Sequence, residues 1–220
     1  MEKINRFIEQ TVLRPDLTDR DIDRAIQESI EYNFIGICVP PFWVKKARRD
    51  IIKNEIQIIT VAGFPFGYDL TESKLHDIEK ALNHGADEID MVWNLSAFKS
   101  EMPWTKIDIA KCSSLVHSGN RILKVIIETC YLTHDEIIKA CGICSDAGAD
   151  YVKTSTGFAS AGATEEHIRL IRSCLPSHVG VKAAGGIRDF PAALKMIEAG
   201  ADRIGTSSGV KIMKESQEYL

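Results

Sequence analysis

Short β-branched runs recur along this chain at a spacing of roughly 20–35 residues, with helical stretches between them, the pattern of repeated βα units. Candidate strands cover residues 10–13, 36–39, 58–63, 88–92, 123–128, 151–156, 180–184 and 203–207. Four of the intervening segments carry helix-start signals and amphipathic periodicity: 21–32 behind Thr18 and Asp19, 72–84 behind Thr71, 134–147 behind Thr133, and 165–174 behind Thr164. The triplet Gly-Ala-Asp stands at 85–87, 148–150 and 200–202, each time where a helix stops and a strand begins. Eight βα units predict an α/β chain folded as a closed (β/α)8 TIM barrel. An open doubly wound sheet fits the alternation too, but the recurring triplet favours the barrel. Residues 1–6 are expected to open a short amphipathic N-terminal helix.

At 220 residues and 45% hydrophobic the chain matches one barrel domain, residues 1–220, near the lower end of that fold's size range. Its net charge of −4 offers no basic face for nucleic acid, and no run of about 18 apolar residues could cross a bilayer. The N-terminal residues lack the apolar core of a signal peptide, so the cytoplasm is the expected compartment. Six cysteines are expected to stay reduced in a chain with this much core. Cys141 and Cys144 have the spacing of a redox or zinc half-site, but they fall inside a helical run with no second ligand pair, which favours buried small residues.

Two lysines stand inside consecutive candidate strands: Lys153 in Tyr151-Val152-Lys153-Thr154-Ser155-Thr156-Gly157 and Lys182 in Val179-Gly180-Val181-Lys182-Ala183-Ala184-Gly185-Gly186. Strands covered on both faces should be almost wholly apolar, and a buried ammonium is expensive unless paired or neutralised. Strand-end lysines that snorkel into salt bridges would be a bland explanation. The chemical one is that desolvation and like charge lower a lysine pKa until its free amine can attack a carbonyl, as a Schiff-base nucleophile must. Asp90, inside Glu88-Ile89-Asp90-Met91-Val92, is another charge in a strand interior. It reads as a general acid/base paired with Lys182, or as one half of a structural ion pair. Lys124 is an auxiliary member of the same network or a solvated strand-entry lysine.

Glycine-rich exits follow the last two strands. Gly185 and Gly186 after one, and Ser207 and Ser208 after the other, stand where barrels bind phosphate with backbone N–H groups and a helix N-terminus. Thr156 and Gly157 are expected to contribute from the adjacent loop.

At this point the chain resembles the deoxyribose-phosphate aldolases over nearly its whole length. The resemblance is carried by Gly63-Phe64-Pro65-Phe66-Gly67, by residues 85–92, by Leu123-Lys124-Val125-Ile126-Ile127-Glu128-Thr129, by Val152-Lys153-Thr154-Ser155-Thr156-Gly157-Phe158 and by Val181-Lys182-Ala183-Ala184-Gly185-Gly186-Ile187-Arg188. It implies a (β/α)8 barrel that reversibly cleaves 2-deoxy-D-ribose 5-phosphate to D-glyceraldehyde 3-phosphate and acetaldehyde, with no metal and no cofactor. By resemblance, Lys153 forms the Schiff base and Lys182 with Asp90 relays protons. Gly185, Gly186, Ser207 and Ser208 hold the phosphate. Sugar phosphates and aldehydes are the expected partners, and a homo-oligomer is expected, a dimer being the commonest choice.

The chain departs from the family near its start. Many members have Asp-His-Thr followed by Leu-Leu-Lys-Pro, where this one has Glu9-Gln10-Thr11-Val12-Leu13-Arg14-Pro15. A longer acid and a lost imidazole there would alter the pocket floor or subunit contacts. Two rivals stand beside the main reading: another Schiff-base barrel lyase for a different sugar phosphate, and a non-catalytic sugar-phosphate sensor, against which the buried amines argue.

Overall fold

The computed structural model describes residues 4–51 and 55–218. Eight parallel strands close in chain order: β1 (Ile8–Thr11), β2 (Gly36–Cys38), β3 (Gln57–Ala62), β4 (Glu88–Val92), β5 (Ile122–Ile126), β6 (Tyr151–Lys153), β7 (Gly180–Ala184) and β8 (Arg203–Thr206). β8 pairs back onto β1, Ile204 lying opposite Ile8, so the sheet has no edge. Around it run α1 (Asp19–Glu31), α2 (Val44–Asp50), α3 (Thr71–Asn83), α4 (Leu95–Lys99), α5 (Trp104–Ser118), α6 (His134–Asp146), α7 (Glu165–Cys174), α8 (Phe190–Glu198) and α9 (Gly209–Glu218). This is the expected (β/α)8 barrel. No helix among the described residues is long and apolar enough to cross a membrane.

The helix starts follow from their caps. Thr18 accepts the Asp21 N–H while the Asp21 carboxylate accepts the Thr18 N–H, and Thr133 with Glu136 repeats this reciprocal box at α6. Thr164 caps α7 alone. Thr71, expected as a cap, is instead the first residue of α3, preceded by Leu70, which cannot cap with a side chain.

Strand residues alternate between two environments. Ile37, Ile58, Ile89, Met91, Leu123, Val125, Val152, Val181 and Ala183 face outward into one continuous apolar core shared with the helices. Inside, beside β2 and β3, Cys38, Ile59 and Val61 form a small separate apolar cluster. Inward positions on β1 and β4 to β7 carry the charged residues Glu9, Glu88, Asp90, Lys124, Lys153 and Lys182, and glycines make room for large neighbouring side chains. A Cβ on Gly180 would lie 2.2 Å from the Tyr151 ring, and one on Gly205 would lie 3.1 Å from Lys182 Cε.

The Gly-Ala-Asp triplets are locks between neighbouring strands. Each glycine takes a positive φ (98°, 84° and 107° at Gly85, Gly148 and Gly200), a conformation that only glycine adopts cheaply. Each alanine is buried, and each aspartate accepts a backbone N–H at the start of the preceding strand. Asp87 takes Ile58 N–H at 2.9 Å, Asp150 takes Leu123 N–H at 2.7 Å and Asp202 takes Val181 N–H at 2.8 Å. A basic side chain covers each one: Arg48 and Arg121 on Asp87, His117 on Asp150, Arg172 on Asp202.

Some boundaries differ from expectation. The first strand begins at Ile8 rather than residue 10, because Ile8 enters the outer core and Glu9 finds cationic partners inside. The sixth ends at Lys153 rather than 156, because the Thr154 hydroxyl replaces the ladder, donating to Ala184 C=O and accepting from Ala184 N–H, both at 3.1 Å. The fifth stops at Ile126, and Glu128 beyond it turns to φ 53°. Residues 1–3 of the expected N-terminal helix lie outside the described residues, and Ile4–Arg6 is a single 3-10 turn. Cys141 and Cys144 are buried and unbridged on α6, and burial pushes the Cys141 thiol up to about 12 and Cys144 well above its ordinary value. They pack as small core residues.

Removing one lock tests its contribution. Asp87→Ala strips the partner from the Ile58 N–H and from two guanidinium groups, so urea denaturation should show a loss of about 2 kcal/mol. KM for the substrate should not move, since the triplet sits at the strand entries.

Candidate active site

Register and alternation bring the charged residues of the sequence together. Lys124 lies opposite Asp90 across β4 and β5, and Lys182 lies opposite Lys153 across β6 and β7. Two ammonium groups side by side in a closed barrel need an anion between them, and Asp90 is that anion. Its Oδ2 accepts from Lys153 Nζ and from Lys182 Nζ, each at 2.6 Å, while Oδ1 accepts from Lys124 Nζ at 3.0 Å. Glu9 binds Lys182 and lies 3.6 Å from Lys124, and Glu88 binds Lys124. Glu9, Glu88, Asp90, Lys124, Lys153 and Lys182 are each at most 2% exposed and carry balanced formal charge.

Carboxylate partners are shared unequally. Lys124 meets three, Lys182 two and Lys153 only Asp90. Burial pushes all three lysines down, and the carboxylates push them up. For Lys153 burial prevails, with the Lys182 charge acting in the same sense, and the amine sits below the ordinary 10.5. For Lys182 burial is outweighed by Asp90 and Glu9, and for Lys124 by Asp90, Glu88 and Glu9, so both stay above it. Asp90 is also pushed up by burial, but the three lysines together hold it well below 3.8. Glu9 is held below 4.5 against its burial, first by Lys124 and then by Lys182. The cluster therefore contains one amine biased toward the neutral nucleophilic form, beside a fixed carboxylate and a fixed ammonium.

Lys153 alone among the six reaches the wall of a cleft of about 380 Å³ at the C-terminal ends of the strands. Gly185, Gly186, Ser207, Thr156 and Gly157 line the same cleft, together with Thr11 and Arg188. Asp90 and Lys182 lie directly behind Lys153, and Lys124 is deeper still. Ser208 is not in the cleft. It faces a neighbouring surface pocket beside Gln10, and its N–H donates to Thr206 Oγ1 at 2.9 Å. Gln10 points out of the barrel: its amide donates to Glu28 at 2.7 Å and its carbonyl accepts the Gly209 N–H at 3.2 Å. Gln10 thus belongs to the seam between α1 and α9, and of the pair only Glu9 belongs to the interior.

Sequence reasoning left out three participants. Glu88 stands two residues before Asp90 in the same strand, so period-two alternation alone puts both on one face. Arg188, two residues after the glycine pair, also lines the cleft. Glu128 accepts the Thr156 N–H at 3.2 Å and its hydroxyl at 2.5 Å, and burial lifts its carboxyl above the ordinary 4.5. Nothing in the local sequence signals the left-handed backbone that places it there. Among the described residues no group of three or more His, Cys, Asp or Glu is arranged to hold a metal ion.

Comparison with known proteins agrees with this geometry. Residues 6–215 match the model of the DeoC/LacD family aldolases. The deoxyribose-phosphate aldolase of Thermococcus kodakarensis is 49% identical over 216 residues, 96% of each chain. Among solved structures, an aldolase designated QR15 superposes with a TM-score of 0.94 at 43% identity, covering 99% of this chain and 97% of its own. A tetrameric deoxyribose phosphate aldolase from Aeropyrum pernix superposes with a TM-score of 0.91 at 30% identity, covering 99% and 92%. A family match along nearly the whole barrel, joined to a buried lysine at the wall of its cleft, makes this chain a member of the DeoC/LacD aldolase family.

Proposed function

We propose that the protein is a class I aldolase that reversibly cleaves 2-deoxy-D-ribose 5-phosphate to D-glyceraldehyde 3-phosphate and acetaldehyde. The observation that carries this reading is the single under-partnered lysine, Lys153, at the wall of the cleft, backed by Asp90 and Lys182. Neutral Lys153 attacks C1 of the open-chain sugar, and loss of water gives an iminium that serves as the electron sink. The C3 hydroxyl proton passes to Asp90, the C2–C3 bond breaks, and its electron pair enters the enamine as glyceraldehyde 3-phosphate leaves. Lys182, held as an ammonium, gives a proton to the enamine carbon through Asp90 and is recharged by the C3 hydroxyl proton that Asp90 took up, and water then hydrolyses the imine to acetaldehyde and free Lys153. Lys124 acts through the others by neutralising Asp90 and Glu88 from beneath. Gly185, Gly186, Thr156, Gly157 and Ser207 hold the phosphate with neutral donors, Ser208 supporting that loop from behind, so remote binding energy orients C1 toward Lys153.

The same reading places the enzyme in the cytoplasm, which its unbridged thiols suit, and takes it to assemble with copies of itself, a dimer being the simplest closed arrangement.

Lys153→Arg should abolish cleavage with the fold intact, because a guanidinium stays protonated and cannot form an imine. Borohydride with substrate should add mass to the peptide containing Lys153. Label on Lys182 would reverse the two roles, and trapping by fructose 1,6-bisphosphate alone would point to another sugar phosphate.

The pH profile of kcat/KM should be a bell. A nucleophilic amine works deprotonated, so the acid limb follows Lys153 and lies below 10.5. A proton-donating ammonium works protonated, so the alkaline limb follows Lys182 and lies above 10.5. Glu9→Gln removes one of the two carboxylates that raise Lys182, and the alkaline limb should move to lower pH. A profile in which that limb stays fixed would detach Lys182 from the relay.

Ser207→Asp places an anion against the substrate phosphate. KM should rise strongly for deoxyribose 5-phosphate and much less for unphosphorylated deoxyribose, with part of the loss in kcat. Equal losses for both would put the phosphate elsewhere.

A further inference from the structure

Glu128 takes no part in the chemistry above, yet it holds a backbone conformation that costs free energy. It lies just past β5 with φ 53° and ψ 68°, in the left-handed region that a residue with a Cβ occupies only where its surroundings over-determine it. Here the surroundings are the segment that begins at Lys153. On one side of Glu128, Ile127 N–H donates to Lys153 C=O at 3.0 Å, and on the other Thr129 N–H donates to Thr154 C=O at 2.9 Å. Between these anchors the side chain, 6% exposed, reaches Thr156: both carboxylate oxygens accept its N–H at 3.2 Å, and Oε2 accepts its hydroxyl at 2.5 Å.

The Thr156 hydroxyl oxygen in turn accepts the Phe158 N–H at 3.1 Å, and the Phe158 ring meets Phe64 edge-on with centroids 5.3 Å apart. Gly157, at the apex, has φ 87° and nothing within 4 Å of where a Cβ would stand, so no packing holds it. The turn is fixed only at its two ends. Thr156, Gly157 and Phe158 all line the cleft of Lys153. Donors for a ligand are most effective when they are in place beforehand, because ordering a free turn opposes binding. We infer that Glu128 is a positioning residue for the phosphate end of the substrate: acting through Thr156, it holds the Thr156-Gly157-Phe158 turn in its ligand-ready shape, and the left-handed backbone aims its side chain there. It does not serve the reacting amine, whose only ion-pair partner among the described residues is Asp90. The inference rests on the aldolase reading for the identity of the substrate.

Two variants separate side chain from backbone. Glu128→Gln keeps the shape but sets an amide N–H against a donor, and Glu128→Gly keeps the left-handed backbone without strain and loses the carboxylate. In both, KM for deoxyribose 5-phosphate should rise about tenfold, the size of one charge-assisted hydrogen bond. KM for unphosphorylated deoxyribose, and the rate at which borohydride fixes acetaldehyde on Lys153, should each stay within about twofold. Thr156→Val cuts the same link from the other side, so adding Glu128→Gln to it should raise KM by much less than the about tenfold seen alone. Inorganic phosphate reads the turn without turnover: it should move the Gly157 amide resonance of the ¹⁵N-labelled protein saturably, with Kd about tenfold weaker in Glu128→Gln. Equal KM losses for the two sugars, slower trapping of acetaldehyde with KM unmoved, or a phosphate Kd the same in variant and wild type would overturn the positioning role. A wild-type chain that binds phosphate at Gly157 but cleaves no deoxyribose 5-phosphate would sink the aldolase reading instead, and the phosphate titration would still decide the role of Glu128.

Discussion

Asp90 is the residue on which the interior of this barrel depends. Three lysines point at one buried carboxylate, and each uses one of its two oxygens. Removal of one partner from such a cluster leaves uncompensated buried charge, which typically destabilises by about 3–5 kcal/mol. The barrel can carry this arrangement because its apolar stability lies elsewhere, in the layer between the outer strand faces and the helices. The interior is thus free to serve electrostatics rather than packing.

The functional asymmetry among the lysines comes from how many anions each one meets. Identical side chains, all almost wholly buried within one cluster, have one, two or three carboxylate neighbours. That gradation runs from the cleft inward, leaving Lys153 at the wall with the weakest electrostatic restraint and the deepest lysine with the strongest. Glu9 takes part in this division. Its side chain reaches Lys182 and also approaches Lys124 and Arg203, a reach that a shorter aspartate of the same charge would not have.

Much of this was legible in the sequence where local signals and tertiary demands agree. Strands 88–92 and 180–184 fell where expected, because clear turns bound them and their interiors alternate as a barrel strand must. The first strand was displaced because Glu9 has the local look of a solvent-facing residue, and its partner Lys182 lies far along the chain. α5 escaped notice for a related reason. Its buried face runs through Thr105, Asp108, Ile109, Cys112, Ser113 and Val116, so helical spacing is present but hydropathy is not, and Asp108 is accounted for only by Lys74 of α3, 2.6 Å away. Of the site, Lys153, Lys182, Asp90 and the glycine exits could be read from strand context. Ser208 could not be told from Ser207, since adjacent residues leaving a strand point to different sides.

The aspartate locks and Lys153 occupy opposite ends of the barrel. Each lock ties a main-chain N–H at a strand's beginning, whereas the cleft residues lie at or past the strands' C-terminal ends. Tolerance to sequence change is therefore divided along the barrel axis. Loops at the exit rim can vary in length and chemistry while closure of the barrel is secured from the far side, and a drift in substrate preference need not be a drift in folding.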